Sequence, residues 1–62
     1  MILGNKIKAL RKANNLTIEA LAEHCHVKSD QLRRIEIGEV NLRFETLVRI
    51  AVALRVDLRE LL

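Results

Sequence analysis

Leu47, Ile50, Ala51 and Leu54 fall at the i, i+3, i+4, i+7 spacing of one helix face, and Leu3, Ile7 and Leu10 repeat that period near the start of the chain. Each run is short. A short helix with one apolar stripe is stable only when the stripe packs against another element. The chain has 62 residues, which sets an expectation of one domain over residues 1–62, and a domain this small leaves much of its surface in water. Its core must then be dense. Half of the residues are hydrophobic while 2% are aromatic, proline is absent and there are two glycines. A core of Leu, Ile, Val and Ala with few turn formers favours packed helices over a many-turned sheet.

Read in order, the pattern predicts an all-α chain of five helices. The first is amphipathic, with Lys6, Lys8 and Lys12 pointing away from its apolar stripe, and it ends at Asn14-Asn15 because asparagine tolerates left-handed turn geometry. Thr17 can cap a second helix by accepting from free backbone N–H groups, Glu19 suits the positive end of that helix dipole, and Leu21 and Cys25 share its buried face. The stretch His24 to Lys28 breaks the period. Ser29 is then a cap for a third helix running to Gly38. At about 100° per residue, Leu32, Ile35 and Glu36 fall on one side of it. Ser29, Asp30, Arg33, Arg34 and Ile37 form the opposing stripe, a largely polar face turned outward. Glu39 to Arg43 reads as a loop before the fourth helix, and Asp57 can cap a last short helix holding Leu58, Leu61 and Leu62.

Eleven lysines and arginines against eight aspartates and glutamates give a net charge of +3, compatible with a polyanionic partner. A single cysteine excludes an intramolecular disulfide. No charged start followed by a long apolar run is present, so neither secretion nor a membrane span is indicated and a cytoplasmic location is expected. His24-Cys25-His26 has the residue types of a metal site, but successive helical residues point in different directions and no second cluster supplies the remaining ligands. Cys25 reads instead as a core residue. No phosphate-binding glycine loop, nucleophile-base pairing or paired carboxylates are seen, so neither an enzyme nor a bound cofactor is expected.

Two short helices separated by a few residues, the second with a polar outer stripe, are the parts of a helix-turn-helix, here Thr17 to Ile37. The residues Thr17 to Glu23, then Val27, Arg34 to Gly38, Glu45 to Leu47, Ile50-Ala51 and Ala53-Leu54 together resemble the phage-repressor and Cro-like family of transcription regulators, the Xre type. The likeness covers nearly the whole chain. It implies a lambda-repressor-like five-helix domain in which Ala22 lets the second and third helices approach closely, with Leu21, Cys25, Val27, Leu32 and Ile35 in the core. It also implies an ion pair between Arg11 and Glu36 that sets the angle of the third helix and does not touch DNA.

By the same resemblance the chain binds double-stranded DNA as a transcription regulator, a repressor, with the helix Ser29 to Ile37 in the major groove. Base contacts then fall to Ser29, Asp30, Arg33 and Arg34. Arg34 has the fork to pair with guanine O6 and N7, Asp30 can accept from a cytosine amino group, and Ser29 can serve base or phosphate. Lys28, Lys6, Lys8 and Arg43 are candidates for phosphate contacts, together with the backbone N–H groups at the start of the second helix, around Thr17 and Ile18.

The chain departs from the family at Ile18, where a phosphate-gripping glutamine is common, at His26, where a turn glycine is usual, and at Ile37 and Glu39, where polar or basic groups are frequent. These changes support an alternative reading, a protein-interaction module docking a regulatory partner through Ile18, Ile37, Val40 and Leu42. Related proteins bind as dimers to two half-sites. Leu58, Leu61, Leu62, Val48 and Val52 exceed what four helices need, so they serve either a homodimer through the C-terminal part or closure of the protomer core.

Overall fold

The computed structural model describes residues 2–39 and 42–62. Four α-helices are present among them: α1 (Ile2–Ala13), α2 (Ile18–Cys25), α3 (Ser29–Glu36) and α4 (Phe44–Leu54). The expected fifth helix is instead one 3-10 turn, Leu58–Glu60. Asp57 caps it, accepting from Arg59 N, while the Glu60 carboxylate accepts from Asp57 N. The bonds that follow are i to i+3, from Glu60 N to Asp57 O and from Leu61 N to Leu58 O. Three residues per turn stack Leu58 and Leu61 on one side. Leu61 is thereby buried and Leu58 packs in part against the core.

α2 sits centrally, against α3 on one side and α4 on the other, while α1 crosses α3 and α4. Ile7, Leu21, Cys25, Leu32, Ile35, Ile50, Leu54 and Leu61 are almost wholly buried. Thr17 caps α2 through its Oγ1, which accepts from Ala20 N at 3.0 Å. Ser29 does not cap α3. It is the first helical residue, and the cap position is Lys28, whose side chain makes no capping bond. The expected loop Glu39 to Arg43 is non-helical where described; Val40 and Asn41 lie outside the described residues.

The four helices end by one device. Asn15, His26, Gly38 and Arg55 take positive φ of 59°, 60°, 81° and 58°. The next residue then donates its N–H five residues back, as Leu16 to Arg11 O, Val27 to Ala22 O, Glu39 to Arg34 O and Val56 to Ala51 O. Leu16, Val27 and Val56 also pack against the core, so three of these reversals are fastened by a hydrogen bond and an apolar contact, while exposed Glu39 after Gly38 supplies the hydrogen bond alone.

Two contacts fix α3 against α1. Arg11 Nε donates to Glu36 Oε2 at 2.7 Å and Nη2 to Oε1 at 3.1 Å, while Nη1 donates to Leu16 O at 2.8 Å. Both side chains are buried, at 8% and 4% exposure for the residues. Seven residues earlier on α1, Gly4 lies against the backbone of α3. A Cβ there would stand 2.7 Å from Ile35 O and closer still to Glu36 O. Only a residue without a side chain permits that crossing.

Gly4→Ala is expected to destabilise the fold by about 1–3 kcal/mol through overpacking, read as a drop of several degrees in the thermal midpoint. An unchanged midpoint would mean that α1 does not lie on the end of α3. Arg11→Ala or Glu36→Ala alone should cost about 3–5 kcal/mol by leaving a buried charge unpaired. The double change Arg11→Met with Glu36→Leu should recover most of that in urea unfolding; a double variant no more stable than either single one would contradict the account.

Candidate nucleic-acid interface

α2 runs on through His24 and Cys25, so the break expected from His24 is shorter, and the turn His26 to Lys28 sets α3 across α2 with Leu32, Ile35 and Glu36 inward. That leaves Asp30, Arg33, Arg34 and Ile37 exposed and Ser29 half-buried on the outer stripe. Within the stripe the charges divide unequally. Arg33 Nη1 donates to Asp30 Oδ1 at 3.0 Å, one turn away, and Arg33 Nη2 stands 3.8 Å from Glu19 Oε2 on α2. All three side chains are half exposed or more, so these pairs contribute little stability. They nonetheless occupy the cation. Arg34, by contrast, is exposed and has no ion-pair partner among the described residues.

The basic residues expected on the phosphate backbone do not form one group. Lys8 lines a depression of about 330 Å³ with Ile18, Arg33 and Ile37, beside the first turn of α2. Lys12 joins it there, one helical turn beyond Lys8, a residue the sequence reading had assigned no role. Thr17 Oγ1 and Thr17 O take the N–H groups of Ala20 and Leu21, so the first amides of α2, those of Ile18 and Glu19, have no acceptor within the helix. Lys6 leaves α1 on another side, and its Nζ donates to Leu62 O at 3.3 Å. Lys28 and Arg43 are exposed at the caps of α3 and α4.

The alternative apolar patch is folded against the core in part. Ile18 and Leu42 are half-buried against the core, Val40 lies outside the described residues, and Ile37 stands exposed at 59%. Cys25 is wholly buried and burial pushes its thiol up to about 11, with the charge of Arg49 acting in the other direction. His24 and His26 flank it in sequence but face solvent, so the three side chains do not converge. Leu61, counted toward a dimer surface, closes the protomer core instead, whereas Val48, Val52 and Leu62 remain exposed. Outside the residues singled out from the sequence, Phe44 is exposed at 67% and Arg55 ends α4 at positive φ. The apolar residue after Arg55 was the signal for that turn.

This arrangement of helices recurs in known proteins. A family model described as helix-turn-helix, HTH_3, matches residues 7–61. No curated protein matches the sequence. The restriction-modification controller protein C.AhdI from Aeromonas hydrophila is similar in structure with a TM-score of 0.95 at 28% identity, over 97% of this chain and 91% of that one. The clp gene regulator ClgR from Corynebacterium glutamicum gives 0.94 at 25% identity, over 97% of this chain and 64% of its own. An HTH_3 family transcriptional regulator from Vibrio cholerae gives 0.89 at 32%, over 95% of this chain and 33% of its own. This chain thus spans nearly all of the first and only a part of the other two. With its family matched over residues 7–61 and its fold shared with these regulators, the chain belongs to the HTH_3 helix-turn-helix family, whose transcription regulators typically bind DNA and are not enzymes.

Proposed function

We propose that this domain binds double-stranded DNA sequence-specifically, with α3 in the major groove, and acts as a transcription regulator of the repressor type, close to the phage-repressor and Cro-like proteins. The observation that carries the reading is the division of α3. Its inner side is clamped by Arg11 on Glu36, while its outer stripe offers Arg34 without an ion-pair partner among the described residues. A rigid helix with a free guanidinium fork is suited to the paired acceptors of guanine. The similarity to ClgR, a clp gene regulator, and to C.AhdI, a restriction-modification controller protein, supports this role.

Arg34 reads guanine O6 and N7. Ser29 serves a base or phosphate, and Asp30 with Arg33 forms a second reading pair. Once Arg33 turns to a phosphate or base, Asp30 is released to accept from a cytosine amino group. Lys8, Lys28, Arg43 and the amides around Thr17 and Ile18 take phosphates, setting register and affinity. Lys6, turned toward Leu62, contributes through the long-range field. The working location is the cytoplasm, where the buried thiol of Cys25 stays reduced.

One recognition helix spans only a few base pairs, so the domain acts as a homodimer on half-sites about one DNA turn apart. With Leu61 buried, pairing falls to the C-terminal end around exposed Leu62 and half-buried Leu58. Sedimentation with duplex present should give two protomers per site; a monomer at high concentration, with and without DNA, would remove the dimer.

Selection from random duplexes at low and physiological salt should enrich a half-site containing a G·C pair. Arg34→Ala should relax that position by about 1–3 kcal/mol of discrimination without changing the thermal midpoint. An intact fold with no enrichment and no salt-dependent affinity would overturn the reading.

A further inference from the structure

α4 is apolar on two sides. Its inner side buries Thr46, Leu47, Ile50, Ala51 and Leu54, yet Phe44, Val48 and Val52 form a second stripe at i, i+4, i+8, exposed at 67%, 37% and 71%. A surface helix ordinarily carries polar residues there. Val48 and Val52 also line a groove of about 660 Å³ between α4, the end of α2 and the α1–α2 turn, with Leu16 and Ala53 completing its apolar lining. Its ionisable lining residues are His24, His26, Arg49 and Arg55, so no carboxylate is among them. Arg49 and Arg55 have no ion-pair partner among the described residues, and Glu45, one turn before Arg49, is not paired with it. No residue of α3 lines the groove, nor do the lysines placed on phosphates.

An apolar floor with a cationic rim selects its occupant by charge. A second copy meeting this groove symmetrically would bring Arg49 and Arg55 against their own counterparts, a like-charge contact that opposes pairing. A nucleic-acid backbone would satisfy the arginines but leave Val48, Val52 and Leu16 against charge and water. A helix with acidic residues beside an apolar stripe satisfies both parts. We propose that this groove docks an acidic amphipathic helical segment of a partner protein, on a surface separate from the recognition stripe.

The probe is a display library of random peptides of about 12 residues, long enough for three helical turns. Selected on the folded domain without DNA, it should enrich peptides in which Asp or Glu alternates with Leu, Ile or Phe at helical spacing. A synthesised winner should bind roughly tenfold more weakly to Arg49→Glu and to Val52→Asp, through lost charge complementarity and lost apolar contact. Helix content and thermal midpoint check both variants; if one fails to fold, the other with Arg55→Glu carries the test. Arg34→Ala and an excess of random-sequence duplex should leave peptide binding unchanged, which keeps this result independent of the DNA reading. The proposal falls if the enriched peptides lack acidic residues or if the folded variants bind them as well as the parent does. It falls equally if duplex DNA displaces the peptide, or if the two variants instead abolish self-association in sedimentation.

Discussion

Arg11 and Glu36 are two charged groups taken out of water, and the arrangement of the other elements follows from how their desolvation is offset. Each carboxylate oxygen receives one guanidinium N–H, and a third N–H of Arg11 reaches the carbonyl of Leu16. An apolar pair of similar volume would be comparably stable, but it would slide. A bidentate fork has one geometry. Glu36 is therefore held twice, its carboxylate by Arg11 and its carbonyl beneath Gly4. These points are seven residues apart on α1, about 10 Å along the helix. Both anchors fall on the last turn of α3, so they fix where that end of α3 sits along α1. The third bond adds the α1–α2 turn to the same joint, so the approach to α2 and the end of α3 are set together.

The helices were legible because an apolar period of 3.6 residues survives in a single sequence, and the cap at Thr17 was legible because its hydroxyl has a distinct job. Their ends were legible unevenly. Asparagine and glycine announce left-handed geometry, and Asn15 and Gly38 adopt it. Arg55 does so without any propensity for it, at a cost of about 1–2 kcal/mol for a residue with a Cβ. What offsets the cost is the following residue, since Val56 gains an apolar contact with the core and a hydrogen bond to Ala51 O. The fifth helix fails for a related reason. Leu58 and Leu61 lie three apart, and the Asp57 cap bonds at once, so a tight turn brings both leucines inward.

At the candidate site, angular position on α3 was readable and electrostatic partnership was not. Asp30 and Arg33 are neighbours on any helix, but Glu19 joins them only because α2 crosses at the angle the Arg11–Glu36 joint imposes. Lys6 and Lys8 look equivalent in sequence. Two residues along a helix are about 200° apart, and tertiary contacts turn that difference into separate surroundings, Leu62 for one and Ile18 for the other. Gly4 was silent for the same reason, since a glycine near the start of a helix carries no sign of what crosses it.

The outer stripe of α4 adds nothing to the core, and so its chemistry is free to serve association. Fully covering a valine or phenylalanine is worth about 1.5–3 kcal/mol, and Phe44 and Val52 each expose about two-thirds of their surface. Joining two molecules costs at least about 4 kcal/mol in lost freedom, which consumes much of what these few side chains can return. The stripe alone therefore holds a partner weakly and without preference among apolar surfaces. Preference comes from the rim, where Arg49 and Arg55 face water until an acid replaces it, and a neutral or basic partner must strip them without compensation. The same rule governs the outer stripe of α3, where Arg34 is exposed and has no ion-pair partner among the described residues. One small core thus supports two cationic surfaces, separated by whether the residues beside the charge are polar or apolar.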